Sequence, residues 1–258
     1  MAVSRKRSRT LLAVGGTVLV AVVLSGCGSD VDASGATEEK RSFALHGDTL
    51  TIDAGDATVE LVPADVKAVE VTRRVDGWVF LGTGPKATWK MTGGRLSLKV
   101  TCTAVASSCE SWHQVKVPRG VAVTVNGDNG RVTATGFDTA LRLRSDNGAV
   151  TVRNSSGPLD LRSDNGKIVT EGISARTVSA TSDNGAVQLG LAAAPDRVDA
   201  VSDNGRIVID LPGPGTSYAV TARSDNGKVD VDVPTDSGSP HVLNARSDNG
   251  QVTVRSAR

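Results

Sequence analysis

Seven aspartates recur along the second half of the chain, and a regular row of carboxylates is a pattern that could bind calcium. Each aspartate begins an Asp-Asn-Gly triplet, and successive triplets start 18, 18, 19, 20, 22 and 23 residues apart. If the copies stack about 4.8 Å apart, their carboxylates repel one another unless a cation or a basic side chain neutralises them. The triplets are Asp128, Asn129, Gly130, Asp146, Asn147, Gly148, Asp164, Asn165, Gly166, Asp183, Asn184, Gly185, Asp203, Asn204, Gly205, Asp225, Asn226, Gly227, Asp248, Asn249 and Gly250.

Basic side chains beside the triplets offer a neutralisation that needs no metal. Lysine or arginine adjoins six of the seven triplets, and only the triplet at 183–185 lacks one. Aspartate in a turn commonly accepts backbone N–H groups, and asparagine tolerates left-handed backbone geometry. We therefore expect structural corners with no metal and no cofactor, and calcium binding between the copies is the alternative.

Pairs of carboxylates could also hydrolyse glycosidic bonds. That chemistry needs two acids in contrasting environments about 5 to 9 Å apart, and equivalent turns offer the distance without the contrast. Aromatic platforms for sugar rings are scarce, since Phe137 and Tyr218 are the only aromatic residues beyond residue 120. His46, His113 and His241 show no metal-ligand spacing. The sequence predicts a protein that is not an enzyme.

The N-terminus predicts lipidation of Cys27. Four basic residues within 5–9 precede an apolar run at 11–24, which is short for a membrane-spanning helix and typical of an export signal. The following Leu24-Ser25-Gly26-Cys27 resembles a bacterial lipobox, in which the cysteine is acylated and becomes the first residue. An ordinary signal peptide or an uncleaved anchor is the alternative.

The other two cysteines, Cys102 and Cys109, are separated by six residues. In an extracytoplasmic protein such a pair favours a disulfide. Free thiols and a metal site are the alternatives, although only His113 is near enough to serve as a further ligand.

The domain organisation follows from these assignments. We expect a lipoprotein signal peptide at 1–26, the lipidated cysteine with a flexible tether at 27–42, a β-rich lead-in region at 43–120 and a seven-repeat domain at 121–258. Removal of the signal leaves 25 basic against 28 acidic residues. This balance gives no reason to expect nucleic acid as a partner.

The triplets lie between short apolar–polar alternations, which predict strands. One interpretation is an antiparallel β-meander, in which Asn-Gly forms each hairpin turn. The other is an all-β, parallel β-helix-like solenoid, in which the triplets are stacked corners. The whole corner is repeated, and this favours the solenoid. In a solenoid, identical residues of successive corners stack on one another, and the asparagines form a buried amide ladder.

Aromatic residues number only 7 of 258, which indicates a thin core of Val, Leu, Ile and Ala. The lead-in region contains Trp78, Phe80, Trp89 and Trp112 among others. We expect them to build a small core that caps the first coil, and a partner-binding patch is the alternative.

A family resemblance appears where these segments meet. Residues 115–120 (VKVPRG), a strand at 121–125 and residues 126–136 (NGDNGRVTATG) precede the repeated Ser-Asp-Asn-Gly-x-Val pattern. Together they resemble the bacterial "putative-adhesin" family of β-strand-repeat proteins, over roughly residues 43–258. The resemblance implies an exported or membrane-tethered β-solenoid and no catalytic residue, and some relatives are associated with envelope-stress systems. The segment around Cys102 and Cys109 departs from the family pattern.

The combined prediction is a monomeric, lipid-anchored extracytoplasmic protein on the bacterial cell surface. Its repeat domain is expected to bind a surface protein or envelope polymer without catalysis. An envelope-stress accessory or scaffold is the first alternative, and a carbohydrate-active enzyme is the second.

Overall fold

The computed structural model describes residues 37–213 and 215–256, where every regular element is a β-strand. The alternation of apolar and polar residues accounts for this, because a period of two turns one face of each strand toward a core. The strands are β1 (Glu39–Phe43), β2 (Thr49–Gly55), β3 (Thr58–Ala64), β4 (Val69–Thr92), β5 (Arg95–Pro118), β6 (Ala122–Gly127), β7 (Val132–Thr135), β8 (Leu141–Ser145), β9 (Val150–Arg153), β10 (Leu159–Ser163), β11 (Ile168–Ile173), β12 (Thr177–Ser182), β13 (Val187–Leu191), β14 (Arg197–Ser202), β15 (Ile207–Leu211), β16 (Ala219–Ser224), β17 (Val229–Asp232), β18 (Val242–Ser247) and β19 (Val252–Ser256).

Of these described strands, sixteen form two parallel ladders, and one strand from each ladder makes one level of a β-solenoid. The first ladder runs β2, β6, β8, β10, β12, β14, β18, β16. The second runs β3, β7, β9, β11, β13, β15, β19, β17. The predicted solenoid is confirmed, and the antiparallel meander is wrong, because the two strands around each triplet pair with neighbouring levels.

The first level of the solenoid lies inside the segment predicted as a lead-in region. Strand β2 pairs in parallel with β6, and β3 with β7. The corner between β2 and β3 is Gly55-Asp56-Ala57, which lacks the triplet. The boundary predicted at residue 121 therefore separates the triplet-bearing levels from the rest, and the solenoid itself starts at β2.

The last two levels are stacked out of chain order. Strands β18 and β19 lie between the level of β14 and β15 and the level of β16 and β17. The chain thus skips one level after Leu211 and returns to fill it. The chain passes the skipped level within the interval of 22 residues between triplets and returns to it within the interval of 23. These two intervals are the longest, and they supply the extra connecting length.

Strands β1, β4 and β5 close the other end of the solenoid. Both ends of β5 pair in parallel with the first level, Arg95–Ser97 with β2 and Trp112–Pro118 with β3. Strand β4 pairs antiparallel with β5, and β1 pairs antiparallel with β4. Val69, Val71 and Leu96 are fully buried there, so this layer covers the apolar end of the stack.

The core consists of stacked aliphatic side chains, as the shortage of aromatics predicted. Phe43, Phe137 and Tyr218 are the buried aromatic residues among those described. Trp78 and Phe80 are exposed, so the expectation that they build a cap core is wrong for these two. Trp89 is half-buried and packs against Phe43, with ring centroids 6.2 Å apart. In the described part of the chain, no helix has the length and apolar character to cross a membrane.

Candidate binding surfaces

Six of the seven triplet corners are closed by a serine, as Ser182 illustrates, whereas the first has Gly127 in that position. The backbone N–H of Gly185 donates to Ser182 Oγ at 2.9 Å, and the serine hydroxyl donates to the carbonyl oxygen of Gly166 one level away at 3.2 Å. Ser182 is fully buried. From the sequence, aspartate is the expected acceptor of the backbone N–H of the turn. In the structure, the serine hydroxyl accepts it. The same two bonds occur at Ser145, Ser163, Ser202, Ser224 and Ser247.

Asparagine side chains form a hydrogen-bonded ladder along the corners. Asn184 Nδ2 donates to Asn165 Oδ1 at 2.8 Å, and Asn204 Nδ2 donates to Asn184 Oδ1 at 2.8 Å. The ladder lies at the surface, so the expectation of a buried amide ladder is wrong. Its first acceptor is Asp56 in the corner that lacks the triplet. In stack order its members are Asp56, Asn129, Asn147, Asn165, Asn184, Asn204, Asn249 and Asn226.

The corner glycines are required by close approach between levels. A Cβ on Gly185 would overlap the carbonyl group of Gly166, and a Cβ on Gly166 would overlap that of Gly148. Neither glycine needs a left-handed φ, since the obstruction is the backbone of the neighbouring level. The serine, the asparagine and the glycine of a corner are therefore each fixed by contact with a copy of the corner.

The aspartates are the least constrained members of the corner. Arg162 lies 3.5 Å from Asp164 and 4.0 Å from Asp183, so it reaches carboxylates of two successive levels. Arg246 similarly lies 3.2 Å from Asp248 and 4.0 Å from Asp225. These pairs are exposed and contribute little stability. Within the described residues, no group of three or more His, Cys, Asp or Glu side chains is arranged to hold a metal ion.

The outward faces of the two sheets carry rows of polar side chains. On the first ladder, Arg142 Nε contacts Asp160 Oδ2 at 2.7 Å. On the second, Arg153 Nε contacts Glu171 Oε2 at 2.8 Å, one level apart. The in-register stacking thus places charged groups at a fixed spacing on both faces.

An arched ribbon replaces the corner at the end of the solenoid that β5 closes. Between the two segments of β5 that pair with the first level, residues 98–111 occupy the position of a corner. They pair with the middle of β4, for example Trp78 opposite Ser108 and Phe80 opposite Ala106. We call residues 75–88 and 98–111 the arched ribbon.

A disulfide between Cys102 and Cys109 bends the arched ribbon back on itself. The two Cα atoms are 6.6 Å apart, whereas seven residues of straight strand would span about 23 Å. Gly77 lies opposite Cys109, and a Cβ there would overlap the backbone of Ser108. The other predicted cysteine site, Cys27, lies outside the described residues together with the signal peptide and most of the tether.

The profile described as Toastrack DUF4097 matches residues 86–243, more than half of the chain. The chain belongs to the Toastrack DUF4097 family. The match begins within the arched ribbon, so Trp78 and Phe80 lie outside it. No curated protein matches the chain.

Solved structures share the fold of this Toastrack chain at low sequence identity. A protein from Bacteroides fragilis, described as a putative adhesin, is 15% identical with a TM-score of 0.51, and the alignment covers 86% of this chain and 97% of that one. A putative adhesin from Parabacteroides distasonis is 9% identical with a TM-score of 0.49, over 86% of this chain and 98% of that one. The first of these similarities supports the solenoid fold, and at this identity it carries no statement about function.

The described carboxylates with shifted pKa values, Glu38, Asp53 and Asp199, favour the ionised form. A surface groove of about 560 Å³ beside β1 contains Glu38 and Glu70. A hydrogen bond from Arg74 lowers the pKa of Glu38, opposite to the raised pKa of a general acid. Burial alone would raise the pKa of Asp199, but hydrogen bonds from neighbouring residues more than offset it and the pKa is lowered.

Of the histidines His46, His113 and His241, only His113 is fully buried in the described structure. It lies on β5 opposite Arg73 of β4 and beside Val59 of β3. Burial lowers the pKa of His113 to about 4, and the positive charge of Arg73 adds to the shift. The imidazole is therefore neutral at physiological pH and packs inside the fold.

Proposed function

We propose that the mature chain is a lipoprotein held at the extracytoplasmic face of a bacterial membrane through Cys27. In this proposal its Toastrack solenoid is a non-catalytic, adhesin-like module that binds an envelope polymer or a surface protein. The observation that carries the proposal is the in-register stack of eight described levels. It repeats outward side chains at about 4.8 Å along both faces, a spacing suited to an extended ligand.

Charge along the first ladder supports a polar ligand. Arg144 and Arg162 are directly in register on neighbouring levels, as are Arg246 and Arg223. Corner aspartates offset part of this positive charge, at 3.5 Å from Arg162 and 3.2 Å from Arg246, and an anionic group bound between neighbouring arginines would offset the rest. The likeness to a solved protein described as a putative adhesin supports the same proposal.

Binding is tested with isolated cell-wall sacculi and the purified full chain in mild detergent. We expect saturable co-sedimentation, which protease treatment of the sacculi abolishes for a protein ligand and preserves for a polymer. The variant with Arg144→Gln and Arg162→Gln is expected to weaken binding about tenfold. Arg153→Gln on the second ladder is the matched control. No binding to either preparation would contradict the proposed function.

Anchoring is tested by mass spectrometry of the N-terminal peptide from the membrane fraction. The expected species begins at Cys27 and carries lipid, and the Cys27→Ala variant is expected to remain unprocessed. A processed chain that starts elsewhere, or an unmodified Cys27, would contradict the anchor.

A further inference from the structure

The apex of the arched ribbon concentrates exposed apolar side chains. Trp78 and Phe80 are each 59% exposed, Leu81 is 73% exposed and Val105 is 80% exposed. Only Val229 and Val231, at the opposite end of the solenoid, are further large apolar residues exposed in the described structure. An apolar cluster this prominent marks an interaction site.

The apex also lacks charge. Residues 77–85 (GWVFLGTGP) and 100–109 (VTCTAVASSC) contain no charged side chain. Asp76 and Glu110 flank the apex on one side, and Lys86 and Lys99 flank it on the other. Charged residues therefore begin where the ribbon approaches the solenoid, and the apex itself is apolar and small-polar.

The backbone of the apex is paired within the ribbon, with a register shift between Thr83 and Lys86. Residues Trp78, Phe80 and Gly82 of β4 lie opposite Ser108, Ala106 and Ala104 of β5. The outer edges of this two-stranded ribbon remain unpaired in the described structure, so its backbone suits the hydrated headgroup region, where water satisfies the free N–H and C=O groups, and not the hydrocarbon core. The disulfide holds this paired apex in its bent form.

The start of β1 places the N-terminal segment beside the arched ribbon. Glu39 pairs with Arg73 and Phe43 with Val69, so β1 followed backwards runs toward the ribbon end of β4. An exposed ion pair between Glu38 and Arg74 lies at this exit. Eleven residues separate Cys27 from Glu39, a contour of at most about 40 Å. A lipid on Cys27 would thus hold the membrane within about 40 Å of the start of β1, and β1 starts beside the arched ribbon.

We propose that the apex of the arched ribbon contacts the lipid surface of the membrane that carries the anchor. This inference rests on the lipid anchor of the proposed function. Trp78 and Phe80 would occupy the interface between headgroups and acyl chains, where amphipathic aromatic rings are favoured. The anchor and the apex together would give two points of contact and restrict the tilt of the solenoid.

Bromolipid quenching of tryptophan fluorescence tests this contact. The processed full chain is reconstituted into phosphatidylcholine vesicles with and without brominated acyl chains. Trp78 is one of three tryptophans, and we expect about a third of the emission to be quenched in the wild type. In Trp78→Ser this quenching should be lost. The double variant Val229→Ser and Val231→Ser, at the far end of the solenoid, is the matched control and should be quenched like the wild type.

Two further readouts separate the outcomes. Lipid on Cys27 without quenching of Trp78 overturns the apex proposal and leaves the anchor intact. Quenching of Trp78 in a chain that lacks lipid on Cys27 overturns the anchor and supports the apex contact. An unquenched wild type that sediments as a dimer, with the dimer lost in Trp78→Ser, overturns the lipid contact and assigns the apex to a second copy of the chain.

Discussion

The triplet corners and the arched ribbon occupy equivalent positions in the stack, yet they differ in almost every physical respect. At a corner, Ser182 and Asn184 each donate a hydrogen bond to the preceding level, and Gly185 packs against the backbone of that level. The arched ribbon has no copy beside it and exposes apolar side chains at its apex. The comparison teaches that stacking fixes residue types where levels repeat, and that a position freed from stacking can carry an interaction surface.

Corner glycines should show the largest effect. Gly185→Ala places a Cβ against the carbonyl group of Gly166, and we expect a loss of about 3 kcal/mol in the free energy of unfolding. Gly213→Ala is the control, because its Cβ meets nothing within 4 Å. Urea unfolding measures both. Equal midpoints for the two variants would contradict the close stacking of corners.

Acid should destabilise the end of the solenoid that carries the ribbon. The pKa of His113 is lowered to about 4, so between pH 6.5 and 4 the unfolded chain binds a proton that the folded chain excludes. Above pH 6.5, the neutral His113 contributes roughly 3 kcal/mol to the free energy of unfolding. This contribution is lost as the pH falls from 6.5 through 4.

The His113→Gln variant should flatten this part of the pH profile. His46→Gln replaces an exposed histidine and should keep the wild-type profile. Urea unfolding at several pH values gives the comparison. An unchanged slope in His113→Gln would show that another group causes the acid sensitivity.

Substitution of a corner serine should have the next largest effect on stability. Ser182→Ala leaves the N–H of Gly185 and the carbonyl of Gly166 without their buried partner, at a cost of about 2 kcal/mol. Ser179→Ala removes a half-buried hydroxyl from the outward face of the same strand and serves as the control. If both variants unfold at the same urea concentration, the serine bonds do not hold the corner.

The asparagine ladder should contribute least of the three. Asn184→Leu breaks the bonds to Asn165 and Asn204, but these lie at the surface, so we expect a loss of about 1 kcal/mol. The structure therefore reduces the strong effect expected from a buried ladder. A loss larger than that of Ser182→Ala, measured by the same unfolding experiment, would reverse this ranking.

Repetition explains which parts of the fold were predictable. The triplets revealed the corners because stacked copies constrain one another. The first level was missed because Gly55-Asp56-Ala57 makes a corner without the triplet. The order in which the levels stack was not predicted, because residue types do not show which level packs against which. The two longest intervals between triplets were a usable signal.

The binding surface was less predictable than the fold. The position of Trp78 and Phe80 in the lead-in region suggested a cap core, whereas both side chains are exposed. Their exposure depends on how the arched ribbon bends away from the solenoid, and no local pattern encodes that bend. The exposure of these two residues agrees with the alternative interpretation, an interaction patch.

Hydrogen exchange on the intact chain tests the contrast between corners and ribbon most directly. Amides of the central corners, such as Asn165 and Asn184, donate to the preceding level and should exchange together, at a rate set by unfolding of the stack. Amides at the ribbon apex, near Phe80, belong to a lone two-stranded element and should exchange at least about 100-fold faster. Equal protection of the two regions would contradict the account.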